Sequence, residues 1–225
     1  IEGVIGVGKT SLVRLLQPVF GAEILLEVFE ENPFLSDFYS DRARYAFQTQ
    51  IFFLLSRYHQ QHRAVPETLA RASLIADYTF AKDALFARVN LTGDELKMYY
   101  RVHEALAEKI PLPDLVVYLR ASTDVLMQRI AQRGRPYERG MERGYIAELG
   151  RAYDDFFANH HNGSPVLVIE TDRMDFIANL DDLRRVTERV QETLDLKAYQ
   201  SPLPLIGSPS PGSPGEGVGA WGKTQ

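Results

Sequence analysis

The chain has 225 residues, of which 45% are hydrophobic and 24% charged, and a formal net charge of −5. This is enough to close one sizeable core, and the acidic balance gives no electrostatic reason for binding nucleic acid or an anionic membrane, both of which need clustered positive charge. The absence of cysteine excludes disulfides, thiolate metal sites and a cysteine nucleophile and fits a cytoplasmic protein, and no run reaches the roughly 20 apolar residues of a membrane helix.

The sequence opens at Ile1 almost directly on a glycine loop, so most of the strand expected ahead of such a loop is read as lying upstream of this numbering. After the loop, Leu12, Val13, Leu15 and Leu16 carry a helical period. Ile24, Leu25 and Leu26 form a strand candidate, and Phe47, Ile51, Leu54, Leu55 and Tyr58 recur at three- and four-residue spacing as one helix face. Ser73 to Ala76, Leu115 to Leu119 and Val166 to Ile169 are three further strand candidates. Ser122 and Thr123 can cap a helix that runs to Arg133 and stops at Gly134. Leu180, Leu183, Val186, Val190 and Leu194 describe a last helix face. With the partial first strand these make five, and their alternation with helices predicts an α/β fold with a parallel sheet wrapped by helices. Residues 201 to 225, rich in glycine, proline and serine, are expected to form a disordered tail.

The loop itself reads Gly3, Val4, Ile5, Gly6, Val7, Gly8, Lys9, Thr10 and then Ser11, which matches the Walker A spacing between an apolar start and a helix. Glycines there let backbone N–H groups turn inward around phosphates, and the helix N-terminus adds a favourable dipole. Lys9 neutralises the outer phosphates of ATP, and the Thr10 hydroxyl can ligate Mg2+. A second Gly-Lys-Thr at Gly222 to Thr224 lacks the upstream spacing and a following helix. No Asn-Lys-x-Asp segment for reading guanine is present, which argues against a GTPase. Arg129, Arg133 and Arg135 instead supply an arginine-rich lid. The first two lie four apart on one helix face and the third follows Gly134, so all three guanidiniums are expected to reach the transferring phosphoryl group. Asp77 ends the Ser73–Ala76 run, where a carboxylate can hold Mg2+ directly or through water. The histidines show no metal-ligand spacing, and His160, His161, Asn162 and Gly163 are read as a turn.

The P-loop, the run from Glu27 to Tyr39, the helix from Phe47 to Arg57 and the Arg129 to Glu138 segment together resemble the deoxynucleoside kinase family, above all its bacterial deoxyguanosine and deoxyadenosine kinases. The resemblance covers nearly all of residues 1 to 200. It implies a P-loop kinase fold with a five-stranded parallel sheet, and a dimer, with itself or with a related kinase. By the same resemblance Glu27 is the general base that takes the 5'-hydroxyl proton, and Gln50, Arg57 and Asp83 read the base. Tyr39 and Glu138 would hold the sugar 3'-hydroxyl, while Asp175 and Phe176 would contact the adenine of ATP. The chain departs from the family at Tyr78, where an arginine usually follows the acid. The expected reaction is ATP-dependent phosphorylation of a purine deoxynucleoside, deoxyguanosine ahead of deoxyadenosine. A monophosphate kinase such as thymidylate kinase is the nearest rival, and a non-catalytic P-loop module the rival from another class.

Overall fold

The computed structural model describes residues 1–29, 31–108, 110–160 and 163–200. The proposed tail lies outside them, as do His161 and Asn162 of the proposed turn.

Elements follow in the order α1 (Lys9–Phe20), β1 (Glu23–Leu25), α2 (Leu35–Ser40), α3 (Arg42–Leu69), β2 (Leu74–Ala76), α4 (Ala81–Asn90) and α5 (Gly93–Ala107). The second half comprises β3 (Val116–Arg120), α6 (Thr123–Arg133), a 3-10 turn (Pro136–Glu138), α7 (Arg143–Asp155), a π-helical turn (Phe156–His160), β4 (Val166–Glu170) and α8 (Leu180–Gln200). The strands pair in parallel, β1 with β2 and β3 with β4. Their connections run through helices, as parallel pairing demands.

The described strands form two two-stranded sheets rather than one five-stranded sheet. Ile1 and Glu2 lie in the gap between them. Glu2 bridges Tyr118 in parallel, through Glu2 N to Val117 O at 2.8 Å and Leu119 N to Glu2 O at 2.9 Å, while Ile1 N donates to Ala76 O at 2.6 Å. Two residues ahead of Gly3 supply one rung of a ladder, and Gly3, at φ 144°, turns the chain out of the extended form. The Glu2 side chain locks this junction. Although almost fully buried, its carboxylate accepts from Thr79 N at 2.5 Å, Thr79 Oγ1 at 2.9 Å and Tyr153 Oη at 3.0 Å, which offsets the cost of burying it.

The core runs between the sheets and the helices and includes Val4, Val7, Leu12, Leu16, Leu119, Leu126, Ile130, Ile146, Leu149 and Ile169. Each fully buried aliphatic side chain of this kind contributes about 1.5–3 kcal/mol. α6 forms as its sequence predicts: Ser122 Oγ accepts from Val125 N at its start, and Gly134 at φ 66° closes it.

Two helices keep most of their expected apolar face on the core, each with one residue turned out. In α3 the inward face is Ala46, Thr49, Gln50, Phe53, Leu54, Arg57 and Gln61, and Leu55 is 50% exposed. Thr49, Gln50, Phe53 and Arg57 of that face border a cleft, which makes its middle polar, while Phe47, Ile51, Leu54 and Tyr58 of the expected stripe still pack on the core. In α8, Val186 and Val190 are buried and Leu183 and Leu194 pack against the core, while Leu180, the first residue of the helix, is 74% exposed.

Candidate active site

A cleft lined by the P-loop, Glu27, Arg57 and Tyr137 opens beyond the carboxyl ends of β1 and β2, where open α/β sheets place their ligands. Its floor is the P-loop, and Gly8 at φ 103° caps α1. A Cβ on Gly8 would lie 2.9 Å from the Phe176 ring, so the loop packs where only glycine fits. Lys9 folds back on the loop, donating from Nζ to Gly3 O at 2.8 Å and Val4 O at 3.2 Å. Burial, with the Lys82 ammonium adding to it, lowers Lys9 to about 8.

Asp77 follows β2 and ties two elements together. Thr10 Oγ1 donates to its Oδ2 at 2.5 Å and Glu27 N to its Oδ1 at 2.7 Å. A hydroxyl and a carboxylate meeting beside a P-loop form the hard-oxygen donor set that magnesium takes. Among the described residues no cluster of three or more His or acidic side chains could cage a metal alone, so the remaining ligands would be phosphate and water, as magnesium prefers.

Glu27, just past β1, faces the cleft with both oxygens engaged. Arg57 donates to Oε1 through Nε at 2.8 Å and also through Nη2, and Lys82 Nζ donates to Oε2 at 2.7 Å. Burial alone would raise this carboxyl, but the Arg57 and Lys82 cations hold it well below the usual carboxylate range. Arg57 also bonds Asp83 Oδ1 through Nη1. Asp83 is fully buried behind Arg57, and burial outweighs the attraction of the guanidinium and pushes it up to about 6.

Gln50 and Arg57 therefore share one wall of the cleft, as their seven-residue spacing predicts, and Asp83 acts from behind. Thr49 Oγ1, Gln50 Oε1 and Asp83 Oδ2 are buried without a hydrogen-bond partner among the described residues. Buried polar atoms left open beside a cleft are atoms a ligand can satisfy. Phe53 lies under the Arg57 guanidinium, 4.6 Å from it, and Phe29, Phe38, Phe86 and Tyr145 complete the apolar lining.

At the opposite wall Tyr39 of α2 stacks on Tyr137 of the 3-10 turn, centroids 6.3 Å apart and planes 11° apart. Glu138 is buried and accepts from Arg133 Nη2 at 2.6 Å and Nε at 3.1 Å, with Arg135 3.7 Å away. Arg135 lies over the Phe29 ring at 4.2 Å. Arg133 and Arg135 both border the cleft.

The structure does not bring Arg129 to them. Its guanidinium turns to the other side of α6 and donates to Val7 O at 3.4 Å, Thr171 O at 2.7 Å, Thr171 Oγ1 at 3.1 Å and Met174 O at 3.1 Å. Those carbonyls, the free ends of the P-loop and of the turn after β4, attract it more locally than an anion across the cleft. Asp175 and Phe176 likewise sit outside the cleft wall. Asp175 Oδ1 accepts from Ile177 N and Ala178 N at 3.1 and 3.0 Å, and Phe176, 4% exposed, packs on Gly8. Phe176 thus shapes the outer edge of the P-loop at Gly8. Tyr78 is buried, and its hydroxyl donates to Gln60 Oε1 at 2.8 Å.

Sequence reasoning passed over Lys82. A lysine in the first turn of a helix reads as solvated surface; the available signal was its place directly before Asp83 and five residues after Asp77.

The family model for deoxynucleoside kinases matches residues 1–195. The chain is 34% identical over 198 residues to a deoxyguanosine kinase of Bacillus subtilis, covering 86% of this chain and 96% of that protein. It is 30% identical over 208 residues to a deoxyadenosine kinase of Lactobacillus acidophilus, covering 86% and 94%. A structure of deoxyadenosine kinase from M. mycoides with bound dATP superposes with a TM-score of 0.73 at 25% identity, over 84% of this chain and 96% of that one. No described helix is long and apolar enough to cross a membrane. A family model spanning nearly every described residue, with relatives matched over almost their whole length, makes this chain a member of the deoxynucleoside kinase family and a kinase.

Proposed function

We propose that the protein transfers the γ-phosphoryl group of ATP to the 5'-hydroxyl of a purine deoxynucleoside, deoxyguanosine ahead of deoxyadenosine. The observation that carries this reading is the position of Glu27. Its backbone N–H is tied to Asp77 of the Thr10–Asp77 pair beside the P-loop, and its carboxylate to Arg57 of the wall shared with Gln50. A hydroxyl set against Glu27 would face the P-loop, and the open Gln50 atom and Arg57, held from behind by Asp83, would meet a base rich in donors and acceptors. The names of the relatives, deoxyguanosine and deoxyadenosine kinases, support a purine.

In this mechanism the P-loop amides and Lys9 hold the phosphates, and the 5'-oxygen attacks the γ-phosphorus as the bond to the β-phosphate oxygen breaks. Glu27 takes the proton; because the attacking oxygen needs little basic help in a loose transition state, a strongly paired carboxylate suffices. Magnesium, held by Thr10 and Asp77, would neutralise charge on the phosphates. Arg133 and Arg135 stabilise the transferring group, and Glu138 orients Arg133 while facing the sugar with Tyr39. Arg129 serves at one remove, by bracing the P-loop. Ile1 and Glu2 belong in this reading to a central fifth strand between β2 and β3. The dimer implied by the family resemblance, with itself or with a related kinase, is part of the same proposal.

A monophosphate acceptor fits less well, because Glu27 would repel its phosphate. ADP release measured with ATP, magnesium, the four deoxynucleosides and their monophosphates tests the proposal. Deoxyguanosine is expected to give the highest kcat/KM, and thymidine or deoxycytidine ahead of both purines would overturn the base assignment.

A further inference from the structure

We propose that Lys82 is a positioning residue for phosphoryl transfer, holding the oxygen of Glu27 that receives the substrate proton. The inference rests on the Glu27 reading above and extends it to a residue outside every motif of the sequence.

The two oxygens of Glu27 are not equivalent. Oε1 takes two donors from the rigid Arg57 fork, and Oε2 takes one, from Lys82 at 2.7 Å. A carboxylate oxygen offers two in-plane lone pairs, so Oε1 is filled and Oε2 keeps one free. The free position is the one to which a hydroxyl can donate. Lys82 thus fixes the plane of the carboxylate and the direction of its open lone pair. In the transfer step the substrate O–H proton passes to Oε2, the oxygen forms its bond to phosphorus, and the electron pair of the broken P–O bond leaves with ADP.

The lysine is built into place. It is 6% exposed in the first turn of α4, lines the cleft with Glu27, and its ammonium lies 5.4 Å from the Phe86 ring centroid. Burying an ammonium without a counter-charge is expensive, and Glu27 is the one ion-pair partner found for it among the described residues. The position after Asp77 cannot supply this cation, since Tyr78 fills it and turns its hydroxyl to Gln60. The charged groups around the pair are Arg57 of α3, Lys9 of α1, Asp77 after β2, Asp83 of α4 and Glu2.

The test compares wild type, Lys82→Met and Lys82→Arg, with wild-type activity on its best deoxynucleoside established first. Lys82→Met should lower kcat about tenfold to a hundredfold with nucleoside KM within a few-fold, since misaiming a reacting group has a cost of that order. Lys82→Arg, which keeps a cation within reach of Glu27, should recover much of kcat, whereas loss of fold alone would change KM and kcat together. Wild-type kcat in Lys82→Met, or a kcat in Lys82→Arg as low as in Lys82→Met, overturns the role of Lys82 and leaves the kinase reading intact. A wild type inert toward every deoxynucleoside overturns both. If Lys82→Met fails to fold, Lys82→Arg and Lys82→Gln decide the matter: equal rates in the two would refute a charge-dependent role.

Discussion

Thr10 and Asp77 meet at 2.5 Å, joining the helix that follows the P-loop to the end of β2, and the same carboxylate receives the backbone N–H of Glu27. One side chain thereby sets the distance between the phosphate site and the proposed base. Asp77→Asn keeps the shape but loses charge. It is expected to raise the magnesium concentration for half-maximal rate by about 10- to 100-fold, the usual effect of disturbing a metal's supporting groups. A magnesium titration of the variant against wild type checks this, and an unchanged half-saturation point would remove Asp77 from the metal site.

Glu27→Gln should bind nucleoside and ATP nearly as wild type does, because Gln can still accept from Arg57. Its kcat should fall by about 10² to 10⁴, the range for loss of a general base. Calorimetric affinities combined with single-turnover rates separate the two. Near-normal turnover would exclude Glu27 as proton acceptor.

Lys9 makes nucleotide binding depend on pH. In the empty protein burial lowers it to about 8, whereas bound phosphates favour its charged form and raise it again. Below about pH 8 the ammonium is already present and affinity is flat. Above it, binding must take up a proton, so affinity falls about tenfold per pH unit. Titration calorimetry at pH 8.5 in buffers of different ionisation enthalpy should show proton uptake on binding of ATP, and release of a proton would contradict the argument.

Gly8→Ala places a Cβ at φ 103°, 2.9 Å from Phe176. The left-handed backbone alone costs about 1–2 kcal/mol, and the clash pushes Phe176 off the P-loop. Lowered melting temperature together with weakened ATP binding is expected, both measurable by thermal shift with and without nucleotide. A variant as stable as wild type, with unaltered ATP affinity, would show that the loop has another way to fold.

What could be read from the sequence was local. The P-loop needs glycines at fixed spacing, Ser122 and Gly134 bracket α6 by capping chemistry, and Glu27 and Asp77 stand where short apolar runs end. Gln50 and Arg57 share a helix face by spacing alone. What could not be read depended on neighbours distant in sequence. The inward side of α3 is set by the cleft it borders, so Leu55, an apolar residue on the expected stripe, is half exposed and Gln50 is buried. Arg129 looked like its neighbours Arg133 and Arg135 until the carbonyls of Val7, Thr171 and Met174 were placed around it. Lys82 carried no pattern of its own, because its meaning lies in Glu27, 55 residues earlier. The partial first strand expected ahead of the glycine loop is represented among the described residues by the single rung at Glu2.

Arg129 gives the arginine segment a mechanical division. Its guanidinium clamps the middle of α6 to the P-loop and to the turn behind β4, while Gly134 ends the helix in a left-handed joint. The helix is thus a fixed post, and the stretch from Gly134 onward, carrying Arg135, Tyr137 and Glu138, is the arm that hangs from it. A swing of that arm would break the Arg133–Glu138 pair, the Arg135–Phe29 contact and the Tyr39–Tyr137 stack while leaving the Arg129 clamp on the P-loop in place.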